Sequence, residues 1–166
     1  MTDDADISSD PYPKWDEATD PDGYVREDLE PKDVFLDSLL DFIVGFDEEH
    51  DGSMGMVVIS NGAVVSGLVI SRRAFIDANT EMLASNSDGD FAPSVKKVWD
   101  FSASLVAEIR DRRDAAKLPT RPHTFLHMKN ARIHTGSSHV DVPFWRGTMQ
   151  DITGWSMGSH NPPGSR

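Results

Sequence analysis

Gly154-Trp155-Ser156-Met157-Gly158 spells the G-x-S-x-G pattern of a serine-hydrolase nucleophile elbow. That elbow works because its Ser stands between a strand and a following helix, with an acid and then a His of the triad further along the chain. Only eight residues follow Gly158, none of them acidic, and Pro162-Pro163 forbids a helix among them. The pattern therefore reads as a terminal strand in which small residues alternate with Trp155 and Met157, and no catalytic residue is assigned. Six His raise a metal question, most directly at His123-x3-His127 with His134 and His139 close behind. On a strand, positions i and i+4 share a face but lie about 13 Å apart, too far for one ion held by ~2.1 Å bonds. Asp88-Gly89-Asp90 lacks the spacing of a calcium loop, and neither a Walker loop nor a G-x-G-x-x-G is present. No metal and no cofactor is expected.

Residues suited to binding are better represented. Phe144-Trp145-Arg146-Gly147 is the densest cluster of interface-type residues, because Trp and Arg dominate binding hot spots. Strand alternation puts Phe144 and Arg146 on one face and Trp145 on the other, so a partner surface and a plain sheet wall are both open readings, and Trp155 joins the same set. Arg110, Arg112, Arg113, Lys117 and Arg121 form a basic set that could meet RNA or an acidic protein surface. Interleaved Asp111 and Asp114 favour a solvated helix end instead.

Charge partition bears on that choice. The 166 residues carry a net charge of −12 and no Cys, which excludes disulfides and Cys-based metal sites. Residues 1–51 hold 18 acidic residues against Lys14, Arg26 and Lys32, which is 3 − 18 = −15, so the remainder is +3. An acidic chain disfavours nucleic acid overall, yet the acidic segment could fold over the basic set of its own chain, in a contact screened by salt. Residues 1–32 combine low hydrophobicity, four Pro and scattered acids, and are expected to be disordered. Tyr12, Trp15 and Tyr24 in that segment are either docking anchors or incidental. With an acidic N-terminus, no exporting segment and no apolar run long enough to span a bilayer, the expected location is the cytoplasm and no membrane partner is expected.

The elements that must position these residues follow from periodicity. Asp33 caps a predicted helix running to Gly45, with Phe35, Leu36, Leu39, Leu40 and Ile43 at helical spacing, lying as a lid on the core. Two β-branched runs, 54–60 and 63–70, flank Asn61-Gly62, which predicts a hairpin with a type I′ turn. Gly67 inside the second run predicts a bend or bulge. Ser71 caps a helix to about Ala84. A longer helix runs from Ser94 to about Ala116, with Val95, Val98, Trp99, Leu105, Val106 and Ile109 as one apolar stripe. Strands are predicted over 123–129, 131–133, 142–149 and 152–157. The chain then reads as an acidic arm (1–32), a single α+β domain (33–158) and a flexible tail (159–166). The expected architecture is a small, strongly bent antiparallel β-barrel of about five strands with an N-terminal helix and a two-helix insertion.

Two blocks resemble a known family. Ile59-Ser60-Asn61-Gly62-Ala63-Val64-Val65-Ser66-Gly67-Leu68-Val69-Ile70-Ser71, with the amphipathic stretch to Leu83, is similar to the first signature of the gas vesicle accessory protein U family. Phe125-Leu126-His127-Met128-Lys129-Asn130-Ala131-Arg132-Ile133, then Phe144-Trp145-Arg146-Gly147 and Gly154-Trp155-x-x-Gly158, is similar to its second. The resemblance implies a cytoplasmic, non-enzymatic accessory protein that influences how gas vesicles assemble, associate or cluster. Its implied partners are the vesicle shell or other accessory proteins, with homo-oligomers possible. The acidic arm departs from the family pattern. The strand order also resembles an Sm-type barrel, weakly echoed by Arg146-Gly147, which leaves an Sm-like RNA-binding module as the alternative.

Overall fold

The computed structural model describes residues 15–86 and 91–158. Asp88-Gly89-Asp90, Tyr12 and the expected tail at 159–166 lie outside them.

α1 (Arg26–Leu29) and α2 (Val34–Val44) precede a hairpin of β1 (Met54–Ser60) and β2 (Ala63–Ile70). The helices α3 (Arg72–Asn86) and α4 (Phe91–Ala115) follow, then β3 (Phe125–Thr135), β4 (Ser138–Thr148) and β5 (Ile152–Met157). Asp33 caps α2 as its sequence predicts, accepting from the amides of Phe35 and Leu36 at 3.0 Å each. Asn61 and Gly62 turn the β1–β2 hairpin with φ of 50° and 80°, the left-handed conformation a type I′ turn demands. Ser71 Oγ accepts from the amide of Ala74 at the start of α3.

All strands pair antiparallel in one sheet of order β4-β3-β2-β1-β5. β4 and β5 are its two edges and do not pair with each other, so the sheet is open and the expected barrel closure is not met. The core shows how the open sheet is satisfied. Leu36, Leu40, Ile43 and Val44 of α2 lie buried against Met56, Val58, Val65, Val69, Leu126, Met128 and Ala131 of one sheet face. The helix closes the core where a barrel would have used its own strands, each such side chain contributing about 1.5–3 kcal/mol on burial. The predicted bend falls where Gly67 stands, but the extra residue belongs to β3. Asn130 adopts φ 52° between the pairs Ser66↔Arg132 and Leu68↔Lys129. A Cβ on Gly67 would come within 3.2 Å of Ala131 Cα and of the Lys129 carbonyl, so a side chain there would press on the bulged backbone of β3, and glycine relieves that crowding. The runs 123–129 and 131–133 are consequently one strand that passes through a bulge.

Two expectations about surfaces are corrected. Phe35 points to solvent, and Val44 takes its place among the buried residues of α2. The apolar residues of α4 divide between two faces. Val95, Trp99 and Ile109 are half-buried, whereas Val98, Leu105 and Val106 are exposed with Phe91 and Phe101. A third correction concerns the acidic arm. From Trp15 onward it carries a 3-10 turn at Glu17–Thr19 and α1, and it is held against the domain by side chains rather than being disordered. Residues 1–14 lie outside the described residues.

Candidate functional site

The basic end of α4 is the first candidate surface, and the acidic arm occupies it. Arg113 is 1% exposed. Its guanidinium donates to Asp20 at 2.7 and 2.9 Å and to Asp22 at 2.8 Å, while Nε donates to the Pro119 carbonyl at 2.7 Å. Asp20 also accepts from Trp15 Nε1 at 2.8 Å and from the amides of Asp22 and Tyr24. The Arg113 guanidinium thus holds the Asp20 carboxyl well below the usual carboxylate range and lowers that of Asp22. Arg112 pairs with Asp22, Arg121 with Asp28 at 2.9 Å, and the Tyr24 ring lies under both Arg113 and Arg121 at 4.2 and 4.1 Å. Tyr24 therefore anchors the arm in cis, while Trp15 braces Asp20 from within the arm. Arg113, expected to meet a partner, is used up inside the chain because a buried guanidinium must be paired to be tolerated.

The aromatic candidates are similarly committed. Trp145 is half-buried on the core side, its indole lying over Gly147 where a side chain would otherwise stand. Trp155 packs against the same core and donates from Nε1 to Asp33 at 2.8 Å, tying β5 to the cap of α2. Phe144 lies on the opposite face, edge-on to Phe75 of α3 at 6.0 Å. Arg146 stacks over the Phe125 ring at 3.5 Å, and Arg110 meets Asp111 at 3.3 Å. Lys117 lies two residues beyond α4 with φ 55°. The structure thus separates the predicted binding residues among the two sheet faces and the far end of α4. The Trp residues and Arg113 serve the fold, so they are not the exposed contacts their residue types suggested.

A buried polar cluster that sequence reasoning missed sits where the loop after α2 meets β3. His123 Nε2 lies 3.0 Å from Asp41, its Nδ1 lies 3.3 Å from one Glu48 oxygen, and His127 Nδ1 lies 3.4 Å from the other. The His123 amide donates to Asp37 at 2.9 Å. Burial works against the charged form of His123, but the Glu48 hydrogen bond and the surrounding carboxylates raise it overall. Burial pushes the His127 imidazole down to about 4, with Arg146 and Arg72 adding to the effect. Burial also pushes Asp37 up. Glu48 is brought below its ordinary value by His123 and His127 in spite of its burial. The pairing rests on residues 75 and more apart in sequence, and only the spacing His123-x3-His127 hinted at it. Among the described residues no group of three or more His, Asp or Glu could hold a metal ion. Ser156 lies within edge strand β5, where its hydroxyl donates to the Met157 carbonyl at 3.3 Å, not in a strand-to-helix turn.

Large apolar side chains also stand exposed. On the outer side of α2 and just beyond it, Phe35, Phe42 and Phe46 are 82%, 86% and 49% exposed. Phe35 and Phe42 are seven residues apart and so project from one helix face. Monomeric proteins rarely leave such a row of large aromatic side chains in water without a use for it. No helix among the described residues is long and apolar enough to cross a membrane.

The family model described as gas vesicle protein GvpU-like matches residues 37–160 of the chain. No curated protein and no solved structure matches it.

Proposed function

This chain belongs to the GvpU-like gas vesicle protein family, and on that premise we propose that it is a non-enzymatic accessory protein that influences gas vesicle assembly or clustering by direct protein contact. The observation that carries this reading is the phenylalanine face of α2. Phe35 and Phe42 stand almost fully in water on a helix whose other side is locked into the core, so they are presented rigidly and at little conformational cost on binding. The partner is the vesicle shell or another accessory protein in the cytoplasm, offering an apolar groove to an acidic-rimmed helix. The RNA-binding alternative loses its support, since Asp20, Asp22 and Asp28 already neutralise Arg112, Arg113 and Arg121.

Flotation of purified intact gas vesicles with the full chain tests the proposal. The wild-type chain should float with vesicles or with a vesicle-bound accessory protein. Phe35→Ser/Phe42→Ser should lose at least about tenfold in affinity, while its far-UV circular dichroism stays that of the wild type. Equal flotation of the double variant, or no association of the wild type with any vesicle component, would overturn it.

A further inference from the structure

We propose that the outer face of α4 is a self-association surface, on which a second copy of this chain docks its own α4 antiparallel. The proposal concerns a different helix from the vesicle-contact face and is tested without vesicles, so the two stand or fall separately.

The outer face of α4 carries Phe91, Val98, Phe101 and Leu105, exposed by 57%, 63%, 64% and 45%. Their spacings of seven, three and four residues are those of a heptad seam, the pattern that keeps one helix facing another over several turns. The inner face of α4 is already occupied, since α3 packs along it and Ala92 and Arg113 are buried. A helix apolar on both sides is satisfied only when both sides are covered. Two such α3–α4 hairpins placed face to face make a four-helix arrangement.

Charge selects the direction. Lys97 and Asp111 flank the seam on one side, each seven residues from Ser104. With the two helices antiparallel about a two-fold axis near Ser104, Lys97 of one copy stands opposite Asp111 of the other, and the match occurs twice. Parallel pairing would forgo both contacts, since Lys97 would then flank Ser102 and Asp111 would flank Ala116 of the second copy. In the antiparallel register Phe101 packs on Leu105 of the second copy, again twice, which gives the interface an aromatic–aliphatic centre. The interaction is self-complementary, as a two-fold contact must be. Charge on the helix does not oppose the approach. Lys96, Lys97, Arg110, Arg112 and Arg113 nearly balance Asp100, Glu108, Asp111 and Asp114, and the acids of the arm are drawn in at its C-terminal end by Arg112 and Arg113.

Light scattering on the eluting full-length chain at micromolar concentration should give twice the monomer mass. Phe101→Glu/Leu105→Glu should elute as a monomer with unchanged helicity. Lys97→Asp should weaken the dimer by about tenfold or more, and adding Asp111→Lys should restore it. Because the native chain has no Cys, Ser104→Cys introduces a single thiol next to the two-fold axis. Mild oxidation should then link two chains in a non-reducing gel, whereas Ser85→Cys at the end of α3 should stay unlinked. A wild-type chain that remains monomeric, a dimer indifferent to the double Glu variant, or a dimer in which Ser104→Cys fails to cross-link each overturns the proposal.

Discussion

Replacing His127 with Gln should change how stability depends on pH more than it changes stability at neutral pH. His127 is 4% exposed, lies 4.8 Å from the Phe75 ring, and is faced by Glu48 from the loop after α2, Arg72 from α3, Arg146 from β4 and His123 from its own segment. Burial lowers its imidazole from 6.5 to about 4. Between those values the unfolded chain binds more protons than the folded one, so stability rises with pH across the window. The stability is fully present above pH 6.5 and is lost as pH falls toward and through 4. Integrating the proton-binding difference gives a loss of about 2 kcal/mol on going from about pH 7.5 to about pH 5. His123 opposes this in sign. Its imidazole is raised, so its contribution is complete below pH 6.5 and fades as pH rises through the folded value. Glu48, which is lowered, loses its contribution only as pH falls below its ordinary carboxylate range. Urea unfolding of wild type and His127→Gln at the two pH values cancels the shared contributions. The wild type should lose about 2 kcal/mol more than the variant over that interval. Coincident losses, within about 0.5 kcal/mol, would refute a buried neutral imidazole at this position.

Two further perturbations address the arm and the lid. Arg113→Met removes the cation that holds Asp20 and Asp22, so the arm should detach and trypsin should cut after Arg26 and Lys32 much faster than in the wild type, whereas added salt, which screens a buried pair only weakly, should leave the wild-type arm in place. Leu40→Ala, at a position 1% exposed on the core-facing side of α2, should cost about 2–5 kcal/mol, read as a lower urea midpoint with the slope unchanged.

The local elements were legible because local physics decides them. Asp33 offers a side-chain oxygen at the start of an amphipathic run, and Asn61-Gly62 supplies positive φ between two β-branched strands; neither needs a distant partner. The blocks 59–71 and 125–158 likewise point to the gas vesicle family that the match over 37–160 assigns. The candidate site was less legible. Phe144, Trp145, Arg146 and Trp155 have the residue types of an interface, yet two of them are consumed by the core and by Asp33. Phe35 and Phe42 have the residue types of a core and stand in water. A helical repeat fixes which residues share a face but not which face meets the sheet.

Read along the chain, the residues from Asp33 onward already place α2, the hairpin with its turn, the two following helices and the late strands, and they separate a −15 segment from a +3 remainder. Tertiary structure alone decided that the sheet stays open under α2, that Glu48 joins His123 and His127, and that the acids at 20 and 22 bury Arg113 across more than ninety residues of chain. Short-range hydrogen bonds and side-chain periodicity act within a few residues, so they can be read along the chain. Which charge neutralises which, and which apolar face is covered, depends on distances that exist only once the chain has closed on itself.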